Sequence, residues 1–216
     1  LLLAACTNLP TPTARLDLAD ALAARQGWQR VPIPSGTFEL AAYIPRTHNT
    51  GDALTVYIEG DGLAWISPSQ PSLDPTPNNP MGLKLALANP EGNAAYLARP
   101  CQYVDTGARG CSQRYWTGQR FAPEVIEASD KALDALKAWF SARQLTLVGY
   151  SGGGAVAALL AARRNDVKRL ITVAGNLDHA AWTRLHHIEP LTGSLNPVDA
   201  RDALNGIRQW HFAGGK

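Results

Sequence analysis

One serine stands out by what surrounds it. Residues 145–160 read LTLVGYSGGGAVAALL, and within them Gly149-Tyr150-Ser151-Gly152-Gly153 fits G-x-S-x-G. That spacing presents a serine hydroxyl on a sharp turn between a strand and a helix. A hydroxyl held in this way attacks carbonyl carbons once a base takes its proton. Leu145, Thr146, Leu147 and Val148 form an apolar, partly β-branched run too short for a helix, which predicts a buried parallel strand. Ala155 to Arg164 is rich in alanine and leucine and predicts a helix, with Arg163 and Arg164 in its last turn where cations suit the dipole. Glycine is needed on both sides of the serine because a Cβ there would meet the neighbouring strand or helix. The N–H of Gly152, at the start of that helix, is then free to meet an oxyanion. A phosphate loop fits less well: no Lys-Ser/Thr follows the glycines, and G-x-G-x-x-G is absent. The plainer alternative is a glycine run that only lets a helix pack closely on a strand.

A second glycine turn follows a second apolar strand, Leu54 to Ile58 running into Glu59-Gly60-Asp61-Gly62. With these two turns, most of residues 38–216 resembles the α/β-hydrolase family. The resemblance implies a three-layer α/β sandwich with a mostly parallel sheet. It also implies Ser151 as nucleophile and backbone N–H groups of Gly152 and of the Asp61/Gly62 turn as the oxyanion hole, with no metal or organic cofactor. Many members carry His-Gly-x-Gly at the second turn, and here Glu59 stands in the histidine's place. Asp61 has an ordinary reading too, as a turn aspartate bonding its own backbone.

The family's chain order is serine, acid, histidine. Its acid commonly follows the strand that Gln209 to Ala213 resembles and its histidine comes one strand later, so both are expected beyond Lys216 and the fold reads as truncated at its C-terminal end. Within the chain Asp178 is the best acid candidate, with a helix N-cap before Ala180 as its alternative. His48, His179, His186, His187 and His211 are expected in solvated or structural positions rather than as the base.

The elements that must position these turns are legible in outline. A helix is expected over Leu16–Arg25, an outer strand over Phe38–Ile44, a helix over Met81–Ala88 and a strand over Ala95–Cys101. Pro123 opens an amphipathic helix reaching Phe140. Leu170–Ala174 reads as a buried strand, Asp202–Ile207 as a helix and Gln209–Ala213 as a strand. Ile66–Pro80, with five prolines, and Asp105–Phe121, with Tyr115, Trp116 and Phe121, read as long loops. Leaving the carboxyl ends of strands, they wall an apolar acyl or aryl pocket or build a satellite core.

Composition bounds the rest. The chain has 216 residues, 45% hydrophobic and 18% charged, with a net charge of +2, which fits one globular domain and gives no support to nucleic acid binding. Leu3-Ala4-Ala5-Cys6 resembles the bacterial lipobox, which implies cleavage before Cys6, a lipid on its sulfur and a protein held at a membrane. The expected division is therefore 1–15 as the end of a signal peptide plus tether, and 16–216 as an incomplete hydrolase domain. The expected location is the bacterial envelope, at the outer membrane facing the periplasm; an ordinary small residue in a frayed end is the alternative for Cys6. An exported protein sits where disulfides persist, so Cys101 and Cys111 are expected to pair, with two free buried thiols as the alternative. No metal site is expected. The whole reads as an exported, lipid-anchored serine hydrolase of a small-molecule acyl substrate. The competing class is a non-enzymatic envelope lipoprotein using the same fold to bind.

Overall fold

A computed structural model describes residues 9–90, 92–105, 107 and 110–214; Cys6 and its motif lie outside the described residues. Seven strands form the main sheet: β1 (Trp28–Ser35), β2 (Phe38–Pro45), β3 (Ala53–Ile58), β6 (Asn93–Leu97), β7 (Gln144–Tyr150), β8 (Val167–Val173) and β9 (Arg208–Phe212). Two short strands, β4 (Trp65–Ser67) and β5 (Gln70–Pro71), pair separately as a hairpin. The main order is β1-β2-β6-β3-β7-β8-β9. β1 and β2 are antiparallel to each other, and β2 is antiparallel to β6; from β6 through β9 all pairs are parallel.

Side-chain alternation along the strands builds two apolar layers. Leu40, Ala42 and Ile44 of β2 join Leu54, Val56 and Ile58 of β3 in a core with α3 (Pro123–Phe140) and α4 (Gly152–Ala161). Ala41 and Tyr43, on the opposite face of β2, pack with Tyr96, with Ala19 and Ala23 of α1 (Pro12–Arg25) and with Leu83 and Ala86 of α2 (Met81–Leu87). The result is the expected three-layer sandwich with a mostly parallel sheet.

Several boundaries differ from the sequence expectation, each for a local reason. α1 begins at Pro12 rather than Leu16, because Thr11 caps it through a bond from the Ala14 N–H and proline suits the first turn. β1 was hidden by Pro32 and Pro34, which a strand tolerates at a sheet edge, and β1 is an edge. β6 occupies Asn93–Leu97 and stops before Pro100 and Cys101, where the chain turns with φ 70° at Cys101. Pro197–Leu204 forms a 3₁₀ segment in place of the helix expected over Asp202–Ile207. A further short helix, α5 (His179–Leu185), follows β8. Cys101 and Cys111 are disulfide-bonded, with Cα atoms 5.5 Å apart. Among the described residues no helix is long and apolar enough to cross a membrane.

One ionic cluster fastens α3 to the loop after α4. Arg164 bonds Asp130, Asp134 and Asp166, and Lys137 also bonds Asp166. Burial pushes the Asp166 carboxyl up, but bonds from Arg164 and Lys137 outweigh it and hold the pKa at about 2. An unfolded aspartate titrates near 3.9, roughly. The stabilisation is therefore complete above about pH 4 and is lost as pH falls towards 2. Urea unfolding at pH 7, 4 and 2.5 is expected to show that acid limb. Arg164→Gln is expected to flatten it and to lower stability at pH 7 by about 2 kcal/mol.

Candidate active site

Ser151 sits at the junction of β7 and α4 with φ 50° and ψ −120°, a conformation that costs energy for any residue with a side chain. Neighbouring strands hold it there. Its N–H donates to Val173 O (2.9 Å), and its carbonyl accepts from Gly154 N–H (2.9 Å) and Asn176 N–H (3.2 Å). The surrounding glycines are needed for close approach. A Cβ on Gly149 would fall 2.6 Å from the Gly153 carbonyl carbon, and one on Gly153 would fall 2.9 Å from the Glu59 carbonyl carbon and nearer still to two carbonyl oxygens. The sharp strand-to-helix bend is thus present, with the serine half-exposed at the carboxyl end of the sheet.

The Glu59-Gly60-Asp61-Gly62 turn lies directly against it. A Cβ on Gly60 would stand 3.3 Å from Ser151 Cβ, and Gly62 has φ +65° with Pro75 O where a side chain would begin. The backbone N–H groups of Asp61 and Gly62 find no partner among the described residues, and the N–H of Gly152 is in the first turn of α4, where helices leave N–H groups free. A cavity of about 270 Å³ is lined by Asp61, Gly62, Leu63, Asn78, Asn79 and Ser151. The sequence-predicted serine thus shares one opening with Asp61 and Gly62, and Gly152 is buried behind it against the Asp61 side chain.

Three features of this turn escape sequence reasoning. Glu59 is buried, and its carboxylate accepts from the N–H of Gly60 (2.9 Å), the N–H of Gly82 (3.1 Å) and the Tyr96 hydroxyl (3.1 Å). It thereby serves the start of α2, whose N-cap Pro80 makes no side-chain capping bond. Burial raises its pKa, and those donors oppose the rise. Gln102, between the two disulfide cysteines, donates to Gly60 O (3.0 Å). Asp61 receives two arginines, Arg120 Nη1 on Oδ2 at 2.6 Å and Arg99 Nη1 on Oδ1 at 3.2 Å. Burial pushes the Asp61 carboxyl up, and the charges of Arg120 and Arg99 more than reverse it, so the group is held ionised. No motif spacing links residues 61, 99 and 120; Asp61's short glycine turn was the only signal.

Asp178 is the N-cap of α5: its carboxylate accepts from Ala181 N–H (3.0 Å) and from the Asn196 side-chain amide (3.0 Å), and these bonds lower its pKa. It bonds no histidine among the described residues. Asp178→Ala is expected to lower the melting temperature by roughly 2–4 °C and to leave the reactivity of Ser151 unchanged, measured by thermal melts and by labelling.

None of the histidines meets the serine. His48 bonds Trp139 O, His211 bonds Thr172 Oγ1 (2.8 Å), His186 stacks on Trp182, and His179 lies buried against Phe121. Among the described residues no side chain hydrogen-bonds the Ser151 hydroxyl. Nor does any group of three or more His, Cys, Asp or Glu among them stand as a metal cluster.

The two long loops lie near this site. Trp65 of β4 and Pro68 line a groove of about 780 Å³ with Thr117, Trp182, Ile188 and Leu191, and Arg120 lies in its wall. Arg120 connects groove and cavity, since it lines the first and bonds Asp61, which lines the second. Trp116, by contrast, is satellite core, packed with Ala64 and the disulfide.

No family model matches the chain, and no curated protein does. Among solved structures it is similar to a dienelactone hydrolase-like promiscuous phosphotriesterase from metagenomic libraries, at 17% identity over 88% of this chain and 81% of that one, TM-score 0.50. It is also similar to an esterase from Pyrococcus furiosus, at 11% identity over 85% of this chain and 68% of that one, TM-score 0.52. These likenesses show the fold, which is that of the α/β-hydrolases.

Proposed function

We propose that the protein is a serine hydrolase that cleaves an ester or related acyl bond through an acyl-enzyme on Ser151. One observation carries the reading: a strained serine at the carboxyl edge of the sheet, with the N–H groups of Asp61, Gly62 and Gly152 gathered beside it. In this scheme Ser151 Oγ attacks the carbonyl carbon, its proton passes to a base, and the carbonyl electron pair moves onto oxygen to be met by those amides. The intermediate collapses, the leaving alcohol takes the proton, and water then releases the acid. The groove between Trp65, Trp182 and Ile188 suits the apolar part of such a substrate.

The base and its acid are proposed to come from residues that follow Lys216 in the full-length gene product. In support, His48, His179, His186 and His211 each pack or bond elsewhere, and among the described residues no histidine hydrogen-bonds Ser151. Residues 1–216 alone are accordingly expected to turn over activated esters at roughly a hundredth of the full-length rate or less. Export and lipid anchoring through Cys6 belong to the same proposal and rest on the lipobox resemblance.

The test is a serine-directed fluorophosphonate on the full-length gene product, with the labelled peptide mapped. Label on Ser151, absent from Ser151→Ala, is the expected result. An inert full-length protein, or equal labelling of the alanine variant, overturns the hydrolase reading and leaves a binding protein on the same fold.

A further inference from the structure

Two buried guanidinium groups meet one partly exposed carboxylate beside the residue that follows Ser151, and these three groups leave one net positive charge. Building on the reading of Ser151 as nucleophile, we infer that Arg99 and Arg120 are positioning residues that reverse the sign of the charge beside Gly152, which lets Asp61 seat the oxyanion turn without repelling the oxyanion.

The need for them follows from where Asp61 lies. A Cβ on Gly152 would fall 2.9 Å from Asp61 Oδ2 and nearer still to Oδ1, so the carboxylate rests on the backbone that carries one of the oxyanion donors. A bare carboxylate there opposes the negative charge that forms on the substrate carbonyl, and two like charges beside the protein wall repel more strongly than they do in bulk water. Each arginine takes a different oxygen of Asp61, and their side chains are only 7% (Arg120) and 5% (Arg99) exposed. Both forks are fixed from behind. Arg120 Nε donates to Thr117 O (2.7 Å), and Arg99 Nη2 donates to Arg120 O. Gln102, inside the disulfide-closed segment, ties Arg99 to the turn: the Arg99 backbone N–H donates to Gln102 Oε1, and Gln102 Nε2 donates to Gly60 O. Glu59, the remaining carboxylate of the turn, is buried, which favours its neutral form and keeps it from cancelling the surplus charge; N–H and O–H donors of Gly60, Gly82 and Tyr96 meet its oxygens.

One arginine neutralises one carboxylate, so the second exceeds what charge pairing with Asp61 requires. Its surplus charge lies behind Asp61, on the side of the turn away from the cavity that Ser151 lines, and acts on the developing negative charge through that turn.

The test is a charge-balance cycle in the full-length gene product, reading kcat and KM on an activated ester. Arg120→Gln leaves Asp61 and Arg99 in balance and is expected to lower kcat by about 10- to 100-fold with KM nearly unchanged. Adding Asp61→Asn restores one net positive charge, so the double variant is expected to regain about tenfold or more over Arg120→Gln alone. Arg120→Lys, which keeps the charge, is expected to stay within about tenfold of wild type. A double variant no faster than Arg120→Gln overturns the inference, because a purely structural pairing gives no recovery. Should Arg120→Gln fail to give a cooperative melt, Arg99→Gln with and without Asp61→Asn provides the same comparison and the same criterion. Absence of Ser151-dependent turnover in the wild type overturns the hydrolase reading and this inference with it. Ser151-dependent turnover without recovery in the double variant overturns this inference alone.

Discussion

Replacing Ser151 with alanine is expected to cut ester turnover by the full-length gene product by a factor of roughly 10⁴ or more, because no other step in the proposed chemistry supplies the attacking atom. Replacing it with glycine is expected to be as inactive but more stable. The serine holds φ 50° and ψ −120°, a region that costs a side-chain-bearing residue about 1–3 kcal/mol. Glycine occupies it freely and gives back about 0.5–1 kcal/mol through its looser unfolded chain. The net gain is therefore about 1 kcal/mol, readable by urea unfolding. Residual turnover within tenfold of wild type would place the nucleophile elsewhere, and a glycine variant no more stable than wild type would show that the turn is unstrained.

Gly153→Ala is expected to leave little or no folded protein. Its new methyl would fall on the carbonyl groups of Ile58 and Glu59, which are backbone at the end of a central strand and have no rotamer to change. Relief requires β3 and α4 to separate, which breaks the core that Ile58 shares with Ala155 and Val156, at a cost of about 4 kcal/mol or more. Gly214→Ala is the control, since nothing lies within 4 Å of its would-be Cβ. Soluble yield and thermal melts of the two variants compare them directly. A Gly153→Ala protein melting like wild type would mean that strand and helix are less tightly apposed than described.

The elbow was legible because its constraints are local: the strand, the tight turn and the small-residue helix follow one another within sixteen residues. The same holds for α3, where a first-turn proline and apolar periodicity place both ends at Pro123 and Phe140. β1 was not legible, since Pro32 and Pro34 argue against a strand until its edge position is known. The Asp61–Arg99–Arg120 cluster was equally hidden. Its members come from three separate segments and meet only because β6 lies beside β3 and the chain after the disulfide ring folds back over the turn. Asp178 shows the reverse case, where residue type allowed either an acid or a cap and only the Ala181 and Asn196 bonds identify the cap.

The sheet ends differently on its two sides, and this bears on how the chain behaves when concentrated. On the β1 side, Pro32 and Pro34 offer no N–H to an incoming strand, which discourages growth of an extended assembly. On the β9 side, five successive exposed residues include Trp210 and Phe212, with no proline among them. A strand joining this sheet edge to edge, from this chain or another, should therefore add beside β9 rather than beside β1.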